Sequence, residues 1–399
     1  MKKLFGYLAG LAGAVAALAL LIANVGTLHE TWCKNIGTFC SPPPESIDWA
    51  KSDESTELPR EQSTDSSRVS KLEYVIQDGS MTVYDINALP TAKVVKTKTI
   101  PTDSGTRGTV ACGDTLWISY GSDNTRNLGR TPHLMAWDLV NDVIKWNRAY
   151  NFGIDSMSIT RDCSKIYMPE GELSPGGLWA EIDATNGNVL GTINAGGHGP
   201  HNTFIPSAGT HVYMGPRQTS SLVEANVPAN TIVRTFASMT NHTVRPFTVS
   251  DDEKFAFATD TGILGFQVFD VATGNKLFSL TPPGFSCSGG QGAACSHGIS
   301  LSPDGKEIYV IDTGNSANHV HVYDVSKLPG TAPSLTTTIT LIHGWTGSES
   351  PCAYDCLKDG WIHHSLDGKY AFVGDSGAVI DTSNGGNCRL EKVPPPPSS

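Results

Sequence analysis

Short runs of β-branched and aromatic residues, separated by turn residues, recur along the chain from Leu72 onward. One copy places the turn Ser302–Lys306 (SPDGK) before two such runs, Glu307–Asp312 and His319–Asp324. Another copy begins with the turn Ser365–Lys369 (SLDGK) and continues with a similar run. Runs of this composition between turns predict antiparallel strands joined by hairpins. The chain is therefore predicted to be all-β.

The repeat is roughly 40–50 residues long, and a repeat of that length built only of strands is typical of a β-propeller. The third strand of each copy ends in an acidic residue, and seven such strands end at Asp85, Asp138, Asp183, Glu224, Asp270, Asp324 and Asp381. We predict a propeller over residues 72–393, with seven blades of mostly four antiparallel strands; six blades is the alternative. The first copy shows no first strand, so the two chain ends are expected to combine at the ring closure.

The N-terminus indicates where the propeller works. Lys2 and Lys3 precede an apolar stretch from Leu4 to Ala23, which extends to Leu28. Twenty helical residues span roughly 30 Å, the hydrocarbon thickness of a bilayer. Residues 1–28 therefore predict one hydrophobic helix, a transmembrane anchor with the propeller facing the periplasm or the exterior. The alternative is a cleaved signal peptide, which would leave a secreted or periplasmic protein.

Composition adds further expectations. The formal net charge is −11 and no basic run occurs, so nucleic acid is not an expected partner. Residues 29–71 are rich in Pro, Ser and acidic residues and predict a flexible linker, while 394–399 predict a Pro-rich disordered tail. Nine cysteines in an exported chain favour disulfides. The candidate pairs are Cys33–Cys40, Cys287–Cys295, Cys352–Cys356 and, between neighbouring copies, Cys112–Cys163.

Polar residues recur at one position of the repeat, five residues before the turn that ends the first strand. The residues there are Arg107, Asp155, His201, Arg245, His297 and Gly360, of which five are polar or titratable. In a propeller the first strand is innermost and begins at one mouth of the central channel. These side chains are therefore expected to surround that mouth, which is where ligands and perturbed pKa values concentrate.

Two kinds of chemistry fit such a ring. In the first, arginines bind an anion through their forked donors, and a histidine acts as acid or base. The ligand-binding set is then Arg107, Asp155, His201, Arg245, His297 and Glu170, with His201, His297 and Asp155 as catalytic candidates. In the second, a transition metal is held by imidazoles from His198, His201, His242 and His297. A third interpretation leaves the mouth solvated, with the arginines held by Asp155 or Glu170.

Three segments carry a family resemblance. Tyr74–Asp85 (YVIQDGSMTVYD), Ser302–Val310 (SPDGKEIYV) and Ser365–Val373 (SLDGKYAFV) resemble the YVTN-type repeats of exported bacterial and archaeal β-propellers. That superfamily includes lactonase-like hydrolases, surface-layer proteins and the propellers of nitrous oxide reductase and quinoprotein amine dehydrogenase. The resemblance covers residues 72 to about 390 and implies a seven-bladed exported propeller, with the chemistry left open.

Together these observations predict an exported, membrane-anchored propeller that binds a small anionic ligand at the mouth of its channel. A hydrolase of lactonase-like type, or a metal-dependent enzyme using the same ring, is the alternative. A structural envelope protein is the second alternative. The expected partners are accordingly a small molecule or an envelope component, and the membrane through the N-terminal helix.

Overall fold

The computed structural model describes residues 71–77, 79–87, 89, 93–102, 105–122, 130–207, 209–239, 242–287, 295–312, 319–341, 361–374, 378–383 and 390–392. Their strands form seven separate antiparallel sheets, so the prediction of an all-β propeller with seven blades is confirmed and the six-blade alternative is wrong. The proposed anchor 1–28, the linker up to residue 70, the tail 394–399 and the pairs Cys33–Cys40 and Cys352–Cys356 lie outside the described residues. Within the described ranges, no helix is long and apolar enough to cross a bilayer.

The blades follow one another along the chain. Blade 1 has β1 (Leu72–Gln77), β2 (Ser80–Asp85) and β3 (Lys93–Thr99); blade 2 has β4 (Thr106–Cys112), β5 (Thr115–Tyr120), β6 (His133–Asp138) and β7 (Val143–Ala149). Blade 3 has β8 (Ser158–Ile159), β9 (Lys165–Pro169), β10 (Leu178–Asp183) and β11 (Val189–Asn194). Blade 4 has β12 (Pro200–Phe204), β13 (His211–Pro216), β14 (Val223–Asn226) and β15 (Thr231–Thr235).

The last three blades are regular. Blade 5 has β16 (Val244–Val249), β17 (Phe255–Asp260), β18 (Phe266–Asp270) and β19 (Lys276–Leu280); blade 6 has β20 (Ile299–Leu301), β21 (Glu307–Asp312), β22 (His319–Asp324) and β23 (Ser334–Thr340). Blade 7 has β24 (Ile362–His364), β25 (Tyr370–Val373), β26 (Ala378–Asp381) and β27 (Leu390–Lys392). In every four-stranded blade the strands pair in chain order, from the innermost to the outermost.

The core lies between the blades, because each middle strand has apolar side chains on both of its faces. In β9, Met168 packs into the cluster shared with blade 2, while its neighbour Tyr167 packs into the cluster shared with blade 4. Side chains alternate along a strand, so two adjacent apolar residues serve two different cores. This explains why the repeat shows continuous apolar runs instead of an alternation of apolar and polar residues.

The turn residues of the repeat hold the hairpins. Ser302 Oγ donates to Asp304 Oδ1 at 2.7 Å and accepts from the backbone N–H of Glu307 at 2.9 Å. The aspartates that end the third strands cap the next turn, as Asp270 does by accepting from the N–H of Thr273 at 2.7 Å. Both arrangements satisfy turn N–H groups with short polar side chains. The recurring Ser, Asp and Gly positions are therefore structural.

The ring closes through side chains of the first and last blades. Tyr84 and Ile86 of blade 1 share an apolar cluster with Phe372 and Val379 of blade 7. Lys71 forms an ion pair with Asp367 across the same boundary. Among the described strands, no sheet contains strands from both chain ends, and blade 1 has three strands. The ends therefore meet by packing, and the missing first strand of blade 1 agrees with the sequence prediction.

Two of the expected disulfides are present. Cys112–Cys163 joins the end of β4 in blade 2 to the turn that follows β8 in blade 3, across 51 residues. Cys287–Cys295 closes a loop of 8 residues before β20. The first disulfide fixes two neighbouring blades to each other, and these blades supply two residues of the predicted ring, Arg107 on β4 and Asp155 before β8.

Candidate functional site

The inner strands stand side by side and bring their first residues to one place. β12 packs against β16, β16 against β20, and β20 against β24, while β4 packs against β8. A parallel bridge between Ser156 and Asn202 joins the start of blade 3 to β12. The residues just before these two, Asp155 and His201, are predicted ring positions. The equal spacing seen in the sequence thus becomes a spatial ring around the channel axis.

Three of the ring residues occupy β-bulges. Thr106 pairs with Tyr120 and Gly108 with Ser119, which leaves Arg107 as the extra residue of β4. In the same way His201 is the extra residue of β12, and Arg245 lies within the irregularity of β16. A bulge interrupts the ladder and re-aims the side chain that it carries. A β-bulge therefore sets the side-chain direction of the two arginines and the histidine, each in a different blade.

Neighbouring groups support these irregular strands. Ser119 Oγ, fully buried, lies 3.2 Å from the carbonyl oxygen of Gly108 and 3.1 Å from that of Asp155. Thr259 Oγ1 donates to the carbonyl oxygen of Pro246 at 2.9 Å. A Cβ atom at Gly108 would lie 2.9 Å from Ser156 Cα, so only glycine permits this approach of the two inner strands. The ring residues thus stand on a rigid framework.

Asp155 and His201 form a buried pair. They are 4% and 5% exposed, and His201 Nδ1 lies 2.9 Å from Asp155 Oδ2. Because an ionised carboxylate only accepts, the Nδ1–H is the donor. The other carboxylate oxygen accepts from the N–H of Ser156 at 2.8 Å. His201 Nε2 is buried and has no hydrogen-bond partner among the described residues, so this nitrogen is the one left for another group.

Aromatic side chains from the far side of the ring reach the same histidine. The ring centroid of His201 lies 5.7 Å from that of His297 and 6.2 Å from that of Trp361. His297 and Trp361 meet edge to face at 5.6 Å and 85°. Side chains of blades 4, 6 and 7 therefore meet across the channel. We call His201, His297 and Trp361 the aromatic wall.

A glutamate completes the charged part of the site. Glu172 Oε2 lies 2.7 Å from Arg217 Nη1 and 3.9 Å from His201 Nδ1. Burial disfavours its charge, but neighbouring His201, Arg217 and two further arginines outweigh burial and hold the pKa of Glu172 below its ordinary value. Those further arginines are Arg107 and Arg245. We call the set the mouth cluster: Arg107, Asp155, Glu172, His201, Arg217 and Arg245.

Arg245 is the least satisfied member of the mouth cluster. It is 5% exposed, its Nε has no hydrogen-bond partner, and it forms no ion pair within the described ranges. Burial, followed by the charge of Arg217, lowers its pKa to about 10, so it remains charged at neutral pH. Counted without His201, three arginines and two carboxylates give the cluster a formal charge of +1, in a chain whose net charge is −11. The cluster is a positive site in an acidic protein.

The structure separates the predicted residues into two groups. Arg107, Asp155, His201 and Arg245 meet in the mouth cluster, and His297 joins His201 in the aromatic wall. Glu170 is half-buried, burial raises its pKa, and it forms no ion pair among the described residues. The carboxylate beside His201 is Glu172, two residues further along, which sequence analysis did not single out. Its loop lies outside the repeat, so no periodic signal identified it, and the same applies to Trp361.

The four-histidine metal site is not assembled. His198 is exposed and its Nδ1 contacts the carbonyl oxygen of Pro175. His242 lies against Gly262, beside the buried Asp260. Where side chains are described, the one group of three or more His, Cys, Asp or Glu residues with ligand atoms within 4.8 Å of one another is Asp155, Glu172 and His201. The three arginines of the mouth cluster oppose a divalent cation there, because like charges repel strongly at buried positions.

Comparisons with known proteins support the fold. No family model matches the chain, and no curated protein matches it. Among solved structures, a chain of Kuenenia stuttgartiensis hydrazine synthase is similar, with a TM-score of 0.56 and 14% identity over 80% of this chain and 90% of that chain. At this identity the likeness shows the propeller fold alone. The resemblance to YVTN-type repeats stays a prediction.

Proposed function

We propose that the propeller binds a small anionic ligand at the mouth cluster. The observation that carries this proposal is Arg245, a buried guanidinium without an ion-pair partner in the described structure. An uncompensated buried charge costs several kcal/mol, and a bound carboxylate or phosphate offsets that cost. Arg107 and Arg217 stand in the same cluster and supply further forked donors. We propose further that the protein is exported and anchored by residues 1–28, which holds this site in the periplasm or outside the cell.

The position of the site favours a small ligand. The aromatic wall brings side chains of three blades together beside His201. A ligand then enters from the mouth and contacts several inner strands at once. Its negative charge is surrounded by preorganised groups on bulged strands, which limits the ordering that binding requires.

Calorimetric titration of the full-length protein tests the proposal. The probes are phosphate, acetate, succinate and citrate, titrated at pH 7 and constant ionic strength. We expect at least one of them to bind with a Kd below about 1 mM, and Arg107→Ala with Arg245→Ala to weaken that binding at least about a hundredfold. The matched control is Arg148→Ala, because Arg148 is exposed on β7 and bonded to Asn188. If none of the four anions binds at 10 mM and larger organic carboxylates such as benzoate do not bind either, or if the double variant binds as the unmodified protein does, the proposal is wrong.

A second candidate function is hydrolysis at the same site, and the Asp155–His201 pair favours it. A carboxylate that orients Nδ1–H leaves Nε2 as the basic nitrogen, the arrangement by which a histidine activates water or a hydroxyl group. The arginines of the mouth cluster would stabilise the negative charge that develops on an ester or lactone oxygen. Release of acid from p-nitrophenyl acetate and from γ-butyrolactone, measured against His201→Gln, tests this activity. Equal rates for the two proteins would exclude it for these substrates.

A further inference from the structure

Trp361 is an unusual residue for its position. It lies directly before β24, the innermost strand of blade 7, and yet 37% of it is exposed. Eight of the other exposed large apolar residues lie on the outermost strands of their blades. They are Val94, Val95, Val143, Ile144, Val189, Leu190, Ile232 and Val233. Exposure on an outermost strand is expected, but exposure of a tryptophan next to an innermost strand needs another explanation.

The backbone of Trp361 is firmly held. Its carbonyl oxygen accepts from the N–H of Gly374 at 2.8 Å. A Cβ atom at Gly298 would lie 3.2 Å from Trp361 Cα, so the absence of a side chain there lets β20 approach this residue closely. The indole also contacts His297 edge to face. The partly exposed Trp361 is therefore held in place before a ligand binds, which lowers the entropic cost of stacking against it.

The aromatic wall is continuous with the mouth cluster, because His201 belongs to both. Its ring contacts those of Trp361 and His297, while its Nδ1 lies 2.9 Å from Asp155 and 3.9 Å from Glu172. Arg245 and Arg217 act on the same Glu172. A ligand that places its charge among the arginines and extends beyond a few atoms therefore meets the aromatic wall. An inorganic ion would leave that wall uncovered.

We infer that the ligand is an organic carboxylate bearing a planar unsaturated or aromatic group. Its carboxylate faces Arg245 and its neighbours, and its planar group packs against Trp361 and His297. This inference rests on the proposed function and adds the class of ligand. Aromatic pairs and the apolar area that they bury strengthen binding by about tenfold or more relative to a ligand with the same charge and no ring.

Three monocarboxylates of equal charge test the inference in the full-length protein. Benzoate has a planar ring, cyclohexanecarboxylate has a ring of the same size that is not planar, and acetate has none. Their Kd values are measured by calorimetry, with displacement of benzoate for the weaker ligands. We expect benzoate to bind at least about tenfold more tightly than acetate, and more tightly than cyclohexanecarboxylate.

Substitution of the indole locates the effect. Trp361→Ala should remove the advantage of benzoate and leave the Kd of acetate within about twofold, whereas Trp361→Phe should keep most of that advantage. Leu366→Ala is the control, since Leu366 is 101% exposed in the turn after β24. Circular dichroism checks that each variant is folded. If Trp361→Ala does not fold, the ratio of the benzoate and acetate Kd values in the unmodified protein and in Trp361→Phe tests the inference.

The outcomes separate the two proposals. Equal binding of benzoate and acetate by the unmodified protein overturns this inference and leaves anion binding in place, and so does an equal loss of both ligands in Trp361→Ala. Failure of all three carboxylates to bind, together with phosphate, succinate and citrate, overturns the proposed function itself.

Discussion

Arg245 leads to a prediction about stability that is opposite to the usual effect of changing a buried residue. Folding lowers the pKa of its guanidinium to about 10, chiefly through burial. For a base, a depressed pKa means that the folded state disfavours the proton, so at pH 7 the charge opposes folding. A shift of that size corresponds to about 3 kcal/mol, as an order of magnitude. Arg245→Met keeps a long apolar side chain and removes the charge.

We therefore expect Arg245→Met to stabilise the ligand-free protein by about 1–3 kcal/mol. The lower figure allows for the favourable attraction to Glu172, which the substitution removes. Removal of the unfavourable repulsion from Arg217 partly offsets that loss. In a domain of this size, that gain raises the Tm by about 1.5–4.5 °C. The same substitution should remove the stabilisation that an anionic ligand produces, because the cation that the ligand compensates is gone.

Thermal unfolding at pH 7, followed by circular dichroism in Tris–chloride buffer, measures the effect. Arg148→Met is the control and should change the Tm by less than about 2 °C, because that side chain is exposed. A fall in the Tm of Arg245→Met by more than about 2 °C would refute the reasoning. Such a fall would mean that the guanidinium is a structural group with compensating partners, and the case for an anion site would then be lost.

Two further predictions concern the framework. Loop-closure entropy predicts that removing Cys112–Cys163, which spans 51 residues, costs about 4 kcal/mol, and that removing Cys287–Cys295, which spans 8, costs about 2.5 kcal/mol. Urea unfolding of the two double alanine variants measures both costs, and a larger cost for the short loop would contradict the prediction. Burial lowers the pKa of His364 to about 4, so the unfolded state takes up this proton before the folded state does, and stability falls as the pH drops from about 6.5 towards 4. His364→Gln should reduce that acid destabilisation by about 1–3 kcal/mol, measured by urea unfolding at pH 7 and pH 4. Equal pH dependence of the unfolding free energy in both proteins would exclude a contribution from His364.

The repeat explains why so much of the fold could be predicted. In each copy, apolar runs indicate the strands, and Ser, Asp and Gly indicate the turns. Each blade then makes the same local contacts as the next. The side chain at a given position of one copy therefore occupies the same place in every blade. This is why a simple count from each turn found Arg107, Asp155, His201, Arg245 and His297, and why the pairing of Cys112 with Cys163 at equivalent turns could be foreseen.

Contacts between residues of different blades could not be predicted from the sequence and became visible only in the tertiary structure. Glu172 and Glu170 are both glutamates near the end of β9, and only the path of an irregular loop decides which carboxylate meets His201. Trp361 meets His201 across the channel because blades 4 and 7 stand on opposite sides of it, a distance that no local pattern encodes. The chain by itself determined the strands, the turns and the circle of polar positions, since these follow from short-range chemistry repeated in each copy. Which of those groups touch, and which guanidinium remains without a carboxylate, depends on closure of the ring.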